Sequence, residues 1–417
     1  LGIEPRRVTK LIPAGDTVFS IAENGVSARW NDETNDWEPA FEQFQGGPML
    51  HIMGPVYDSE DQVLFASQAW NRGFFRTGAS LTVGRAEDGW TPTEGPSVPS
   101  DAFELLPDPN GKLLVATNTG LHRLVGDLGV EEDKVKFFFM EIPKTIGRPF
   151  RNVGPKDELA ISEPAAAAIN LQSGDVAIYS RGQLFKLACG ADKRYSVAET
   201  RELDVDKDQG VAMAFGGSTI LLAIGDGRVM NINAETLETR HEYKPEESSQ
   251  PRFVEVSPDG KRFCIVFQNG TLQLLDTSQP DQSSMMVADV SGQGDISAAA
   301  FSPTGEILVA DRVNRVTKYE LASFGPTTTL APPRTVLELI YYYAVVPIYT
   351  IFPKPGELDN TVQYVLRGEE TTDLGIQTEN VKAKRARLNP WAPVASSFAF
   401  MVVVLAISCI YIERQDF

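Results

Sequence analysis

Through most of the chain, short apolar runs of period two follow a turn that contains Gly or Asp, and after a second turn a further run begins. The clearest unit starts at Ser257-Pro258-Asp259-Gly260, continues through Phe263–Phe267, turns at Asn269-Gly270 and resumes through Leu272–Asp276. Ser302-Pro303-Thr304-Gly305 opens a second unit that runs through Ile307–Ala310. The same grammar recurs at Asp108–Thr117 and Gly217–Val229, with looser copies at Gly15–Ile21, Asp61–Ala66 and Gly174–Tyr179. Each unit predicts a hairpin: a tight turn, a buried strand, a second turn and a partner strand. Turn starts recur at roughly 40 to 66 residues, mostly near propeller-blade spacing, with the longest gap between the Asp108 and Gly174 units.

One four-stranded blade cannot bury both of its faces, whereas radial stacking buries them and leaves only short edges. The pattern therefore predicts an all-β fold, a β-propeller of about seven blades over residues 1–323. The WD and Gly-His signatures of strict WD40 repeats are missing, so the repeats are WD40-like. A pair of β-sandwiches would show similar short strands and is the alternative.

The texture changes after Ser323. Residues 324–334 are rich in Pro and Thr and read as a linker, because clustered prolines cannot continue a central strand. Residues 335–353 form an apolar segment that Pro347 interrupts, and its tyrosines suit the headgroup level. Its length class points to an interfacial or re-entrant segment, with a tilted span or a helix packed on the propeller as alternatives. Residues 354–387 read as a polar loop. Residues 388–412 then carry no Asp, Glu, Lys, Arg or His. A helix of that length, rising about 1.5 Å per residue, crosses a hydrocarbon core of about 30 Å. Its Val, Leu, Ile and Phe side chains contribute about −3 to −6 kcal/mol gross to insertion. Membrane lipid is thus the first expected partner.

Charge and motifs narrow the chemistry. The formal net charge is −18, carried almost wholly before residue 335, and such a surface repels nucleic acid. Cys189, Cys264 and Cys409 are far apart and give neither a disulfide framework nor zinc spacing. His51, His122 and His241 each lack a ligand at metal-binding spacing. Neither a phosphate-binding Gly-x-x-x-x-Gly-Lys loop nor a Gly-x-Ser-x-Gly elbow occurs. The string Asp204–Gly210 alternates carboxylates as a calcium loop does. Gln209 stands where such a loop needs Gly and Phe215 where it needs a bidentate ligand, so it reads as an acidic solvated loop. No catalytic, cofactor-binding or metal-binding residue is assigned, and no enzymatic activity is expected. A propeller hydrolase with a central metal would need carboxylates and His converging near the axis, which one sequence cannot place.

Two features bear on topology. The chain opens on Leu1 without a signal peptide and enters repeat structure almost at once, so it reads as a piece of something longer, with further spans expected upstream. The basic run Lys382, Lys384, Arg385 and Arg387 beside the span favours a cytoplasmic flank and places Phe417 outside. The propeller is then cytoplasmic if residues 335–353 do not span and external if they do. A solvated charge run without influence on topology is the alternative.

The end of the chain, Cys409–Phe417, has an apolar helix followed at once by a short charged tail with a terminal aromatic residue. It resembles the end of ABC-2 type permeases, the membrane subunits of ABC transporters, and Pro347–Asn360 is similar to a segment of planctomycete-type permeases that carry a WD40-like insertion. The likeness covers only about the last eighty residues. It implies a multi-pass protein of the cell (inner) membrane, a separate ATP-binding subunit as partner, and a propeller that binds a protein or substrate. In that family the final tail is cytoplasmic, opposite to what the basic run implies. The other reading is a propeller scaffold held by one C-terminal anchor, as in exchange factors of the secretory pathway, without transport activity.

Overall fold

The structure is a computed structural model. It describes residues 8–15, 17–22, 27–40, 49–72, 75–99, 101–125, 132–137, 140–145, 149–155, 159, 161–244, 250–267, 272–277, 285–288, 296–310, 315–321, 326–331, 339–345, 371–374, 384–387 and 392–414. The chain divides into two compact units, Leu1–Pro332 and Pro333–Phe417.

The first unit is a seven-bladed propeller of four-stranded antiparallel sheets. Blade 1 is β1 (Val8–Ala14), β2 (Thr17–Ala22), β3 (Ser27–Asn31) and β4 (Asp36–Ala40). Blade 2 is β5 (Met49–Asp58), β6 (Val63–Arg72), β7 (Phe75–Arg85) and β8 (Thr93–Ser97). Blade 3 takes β9 (Ala102–Pro107), β10 (Leu113–Thr117) and β11 (Gly120–Leu124), then an inserted hairpin β12 (Glu132–Phe137) and β13 (Met140–Thr145), and closes with β14 (Phe150–Asn152). Blade 4 is β15 (Ala165–Ile169), β16 (Val176–Ser180), β17 (Gln183–Cys189) and β18 (Tyr195–Glu202). Blade 5 is β19 (Val211–Gly216), β20 (Thr219–Ile224), β21 (Val229–Asn233) and β22 (Thr239–Tyr243). Blade 6 is β23 (Pro251–Val256), β24 (Arg262–Phe267), β25 (Leu272–Asp276) and β26 (Met285–Ala288). Blade 7 is β27 (Ala298–Phe301), β28 (Ile307–Ala310), β29 (Val316–Tyr319) and β30 (Pro326–Leu330).

The first strands of successive blades pack beside one another around the ring, and β27 packs beside β1 to close it. Every repeat unit read in the sequence marks the same place, the turn from first to second strand and the strand that follows. That second strand is buried on both faces, as in β10, β16, β20 and β28, because each face meets a neighbouring blade. The outer strands β18 and β22 are mostly exposed. One apolar cluster fills each gap between blades.

Among the described residues, no strand is shared between the two ends of the chain at the last gap. Val8, Leu11, Trp30 and Trp37 of blade 1 pack with Leu308, Val316 and Leu330 of blade 7, so among the described residues side-chain packing closes the ring there. Val8, where the chain joins the ring, and Leu330, where it leaves, share this cluster. Both lie on one rim, with the blade-to-blade links and the second-to-third strand turns, here called the back face. The first-to-second and third-to-fourth strand turns form the opposite, front face.

Two departures from the sequence reading have local causes. The long gap between the Asp108 and Gly174 units holds the β12–β13 hairpin, whose strands pair with each other from Glu132↔Thr145 to Phe137↔Met140. Pro326–Leu330, inside the stretch read as a linker, is the outer strand of blade 7, paired through Val316↔Leu330. Proline is tolerated there because Pro326 begins an edge strand, where one missing N–H costs no ladder bond.

In the second unit, the helix α1 (Ala392–Glu413) has Pro393 in its first turn, where no helical N–H is lost. Residues Val394–Glu413 have a mean hydropathy of 2.3 and are almost wholly exposed, so this helix is long and apolar enough to cross a membrane. Of the segment 335–353, residues 339–345 are described and helical, ending in a π-type turn at Tyr341–Val345 with Tyr343 exposed. The rest of that segment lies outside the described residues. In the stretch read as a polar loop, β31 (Thr371–Leu374) pairs with β32 (Lys384–Arg387), and the register sets Asp373 opposite Arg385.

Candidate partner-binding face

The front face owes its shape to tight turns tied to one another across blade boundaries. Gln172 Nε2, in the first turn of blade 4, donates to the Asp259 carbonyl of blade 6 at 2.7 Å. Asn170 Nδ2 donates to the Gly217 carbonyl of blade 5 at 2.8 Å. Lys112 of blade 3 pairs with Asp61 of blade 2 at 2.7 Å. Between blades 3 and 4 the tie is a hydrogen bond from an ion-paired arginine. Arg123 forms a two-pronged pair with Asp108, whose side chain is fully buried, and its Nη1 donates to the Lys193 carbonyl of blade 4 at 2.6 Å. The Arg123 guanidinium also stands 6.0 Å over the Tyr195 ring. Burial opposes its charge, but the Asp108 bonds and charge outweigh burial and raise its pKa above the ordinary value. Burial likewise pushes the Tyr195 hydroxyl up.

A cleft of about 480 Å³ opens on this face between blades 1 and 2. Its lining comes from turns well separated in the chain: Gly15 and Thr17, Arg29 to Glu33, Tyr57 with Gln62, and Trp90. Trp90 is buried and meets Phe19 edge-on at 4.9 Å, with Tyr57 tilted against it at 6.3 Å. Trp30, edge-on to Trp37 at 5.3 Å, donates its indole N–H to Asp32 Oδ1 at 2.8 Å. Asn31 Oδ1 accepts the Glu33 N–H at 2.8 Å and shapes the turn that carries both carboxylates. Arg29 is held by Glu38 at 3.0 Å. The bond from Asn31, then that from Arg29, keep the Glu38 carboxyl below its ordinary range. Trp90 has φ of 66°, a region that favours glycine and costs a tryptophan about 1–3 kcal/mol.

A second polar group lies on the axis. Lys10 of β1, Glu104 of β9 and Glu255 of β23 stand on the first strands of blades that are not neighbours, and the charges of Lys10 and Glu104 both act on the Glu255 carboxyl. Burial pushes the Glu255 carboxyl up; Lys10 opposes this and Glu104 adds to it. Lys10 Nζ donates to the Gly54 carbonyl at 2.9 Å.

The residues weighed in the sequence are not brought together. His51 lies on β5, His122 on β11 and His241 on β22, where it stacks on Tyr243 at 5.7 Å. The Asp204–Gly210 string links blades 4 and 5 on the back face. There Asp208 pairs with Arg181 at 3.1 Å, and Asp206 Oδ1 accepts the Asp208 N–H. Among the described residues, no group of three or more His, Cys, Asp or Glu converges as a metal site. The cleft and the Asp108–Arg123 pair escaped the sequence reading. For the pair, the only available signal was the Asp108 turn itself.

Comparison with known proteins gives a fold likeness. The chain is similar to a solved structure described as the WD40 beta propeller domain of Doa1, at 13% identity and a TM-score of 0.45, over 75% of this chain and 92% of that one. No protein-family model and no curated protein matches the chain.

Proposed function

We propose that this chain is a membrane-anchored WD40-like propeller that docks a protein partner on its front face. One observation carries the reading. Among the described residues of the ring, the exposed large apolar side chains are Val125 and Leu171, and both stand on the front face, on neighbouring blades 3 and 4. The inserted β12–β13 hairpin follows Val125 in the chain, between the third and fourth strands of blade 3. Its register places Val135, Phe137, Met140 and Ile142 on the same side as Asp133 and Lys144, with Glu132, Lys134, Lys136 and Glu141 on the other. A two-stranded hairpin of that pattern is marginal alone in water and gains from a covering surface. The chain joins and leaves the ring on the back face, opposite the turns that carry Val125 and Leu171. Membrane attachment is the role of α1.

A second reading adds to this one. The resemblance of Pro347–Asn360 and Cys409–Phe417 to ABC-2 type permeases makes the chain part of a multi-pass transporter subunit of the cell membrane, with an ATP-binding subunit as a further partner. Affinity purification of the full chain from its native membranes tests both readings. Wild type is compared with Leu171→Glu and Val125→Glu, each first shown to melt within a few degrees of wild type. A protein recovered with wild type and lost from both variants supports front-face docking; an identical set of proteins in all three preparations defeats it. An ATP-binding subunit in the set supports the permease reading.

A further inference from the structure

The cleft between blades 1 and 2 is a built site that apolar docking leaves unused, and we infer that it receives a lysine or arginine side chain of the docked protein. The inference rests on the front face being the docking face. Three aromatic residues, Trp30, Tyr57 and Trp90, line it, and the faces of such rings attract a cation. At its rim stand Asp32 and Glu33, both exposed. Among the described residues, the one basic residue of the lining, Arg29, is paired with Glu38, so it adds little positive field. An anionic group would meet both rim carboxylates and find Arg29 already engaged. A neutral apolar side chain would leave those carboxylates facing it without compensation.

Further observations agree with a cation. The cleft's volume, about 480 Å³, suits one long side chain with its flanking backbone rather than an extended ligand. The net charge of −18 draws a basic partner toward this surface. Two contacts preset the geometry: the Trp30 indole orients Asp32, and the Asn31 turn fixes the backbone of Glu33. Trp90, a lining residue, is held in a left-handed backbone conformation and packed against Phe19 and Tyr57. A choline headgroup is the less suitable cation, because its phosphate would lie against Asp32 and Glu33.

The test uses the purified full chain in detergent and a fluorescein-labelled Gly/Ser peptide with one central lysine, followed by anisotropy. The comparison peptide replaces lysine with norleucine. Wild type is expected to bind the lysine peptide saturably and the norleucine peptide about tenfold more weakly. The pair Asp32→Asn with Glu33→Gln, which keeps an acceptor for the Trp30 indole, is expected to weaken lysine-peptide binding about tenfold. Glu199→Gln with Glu202→Gln removes the same charge from the exposed outer strand of blade 4 and is expected to leave binding unchanged. Equal weakening by both pairs, equal affinity for the two peptides, no saturable binding, or displacement of the peptide by phosphocholine overturns the proposal. Should the peptide behave as expected while the Leu171→Glu variant keeps every partner, the apolar docking reading fails and the cation site stands.

Discussion

Replacing Arg123 with methionine is expected to destabilise the propeller by about 3–5 kcal/mol, because it leaves the Asp108 carboxylate buried without its counter-ion. Asp108 lies in the first turn of blade 3 with no exposed side-chain surface, and one of its oxygens also accepts the Asn110 N–H at 3.0 Å. Arg123 further holds the Lys193 carbonyl of blade 4, so the substitution removes a tie between blades as well as a charge. Arg123→Lys keeps the charge but cannot supply the planar fork, and its loss should be intermediate. Adding Asp108→Asn to Arg123→Met should recover part of the loss, since the stranded charge is then gone. Urea unfolding followed by tryptophan fluorescence measures all of these. A loss below about 1 kcal/mol for Arg123→Met would show that water reaches Asp108 and that the tie is dispensable.

Gly260→Ala carries the second large effect. Gly260 has φ of +69°, and a Cβ there would lie 2.7 Å from the Gly217 backbone nitrogen in the adjoining turn of blade 5. The approach is mutual: a Cβ on Gly216 would lie 2.9 Å from Gly260 Cα. Backbone meets backbone, so no side chain can rotate away. Left-handed strain of about 1–3 kcal/mol adds to an overpacking cost of about 1–3 kcal/mol. Gly305 supplies the control. It occupies the same turn position in blade 7 with φ of +87°, and a Cβ there would meet nothing within 4 Å. Gly305→Ala should therefore show the conformational part alone. Similar losses at the two sites would mean that blades 5 and 6 are not in contact through these turns.

The same glycine explains why so much of the ring could be read from sequence. Each blade repeats a first turn with fixed backbone demands, and the strand after it is buried on both faces, so Gly, Asp and an apolar run recur together, as at Gly260 with Phe263–Phe267 and Gly305 with Ile307–Ala310. Outer strands carry no such signal. Thr239–Tyr243 and Pro326–Leu330 are largely exposed, polar and held only along one edge, so Pro326 passed for a linker residue. The inserted hairpin left a trace only as a long interval between repeats. The cleft was illegible for a different reason: Gly15, Trp30, Tyr57 and Trp90 come from four turns that adjoin only once blades 1 and 2 stack. The axial group of Lys10, Glu104 and Glu255 is likewise created by ring closure, since its members belong to blades that are not neighbours.

Membrane anchoring through α1 is the claim on which the proposed function depends. It is tested most directly by fractionating cells that produce the full chain and washing the membranes with alkaline carbonate, which strips proteins held only by surface contacts. With its helix in lipid, the chain should stay in the washed pellet and enter solution only with detergent. Recovery of the full chain in the carbonate supernatant would contradict the account.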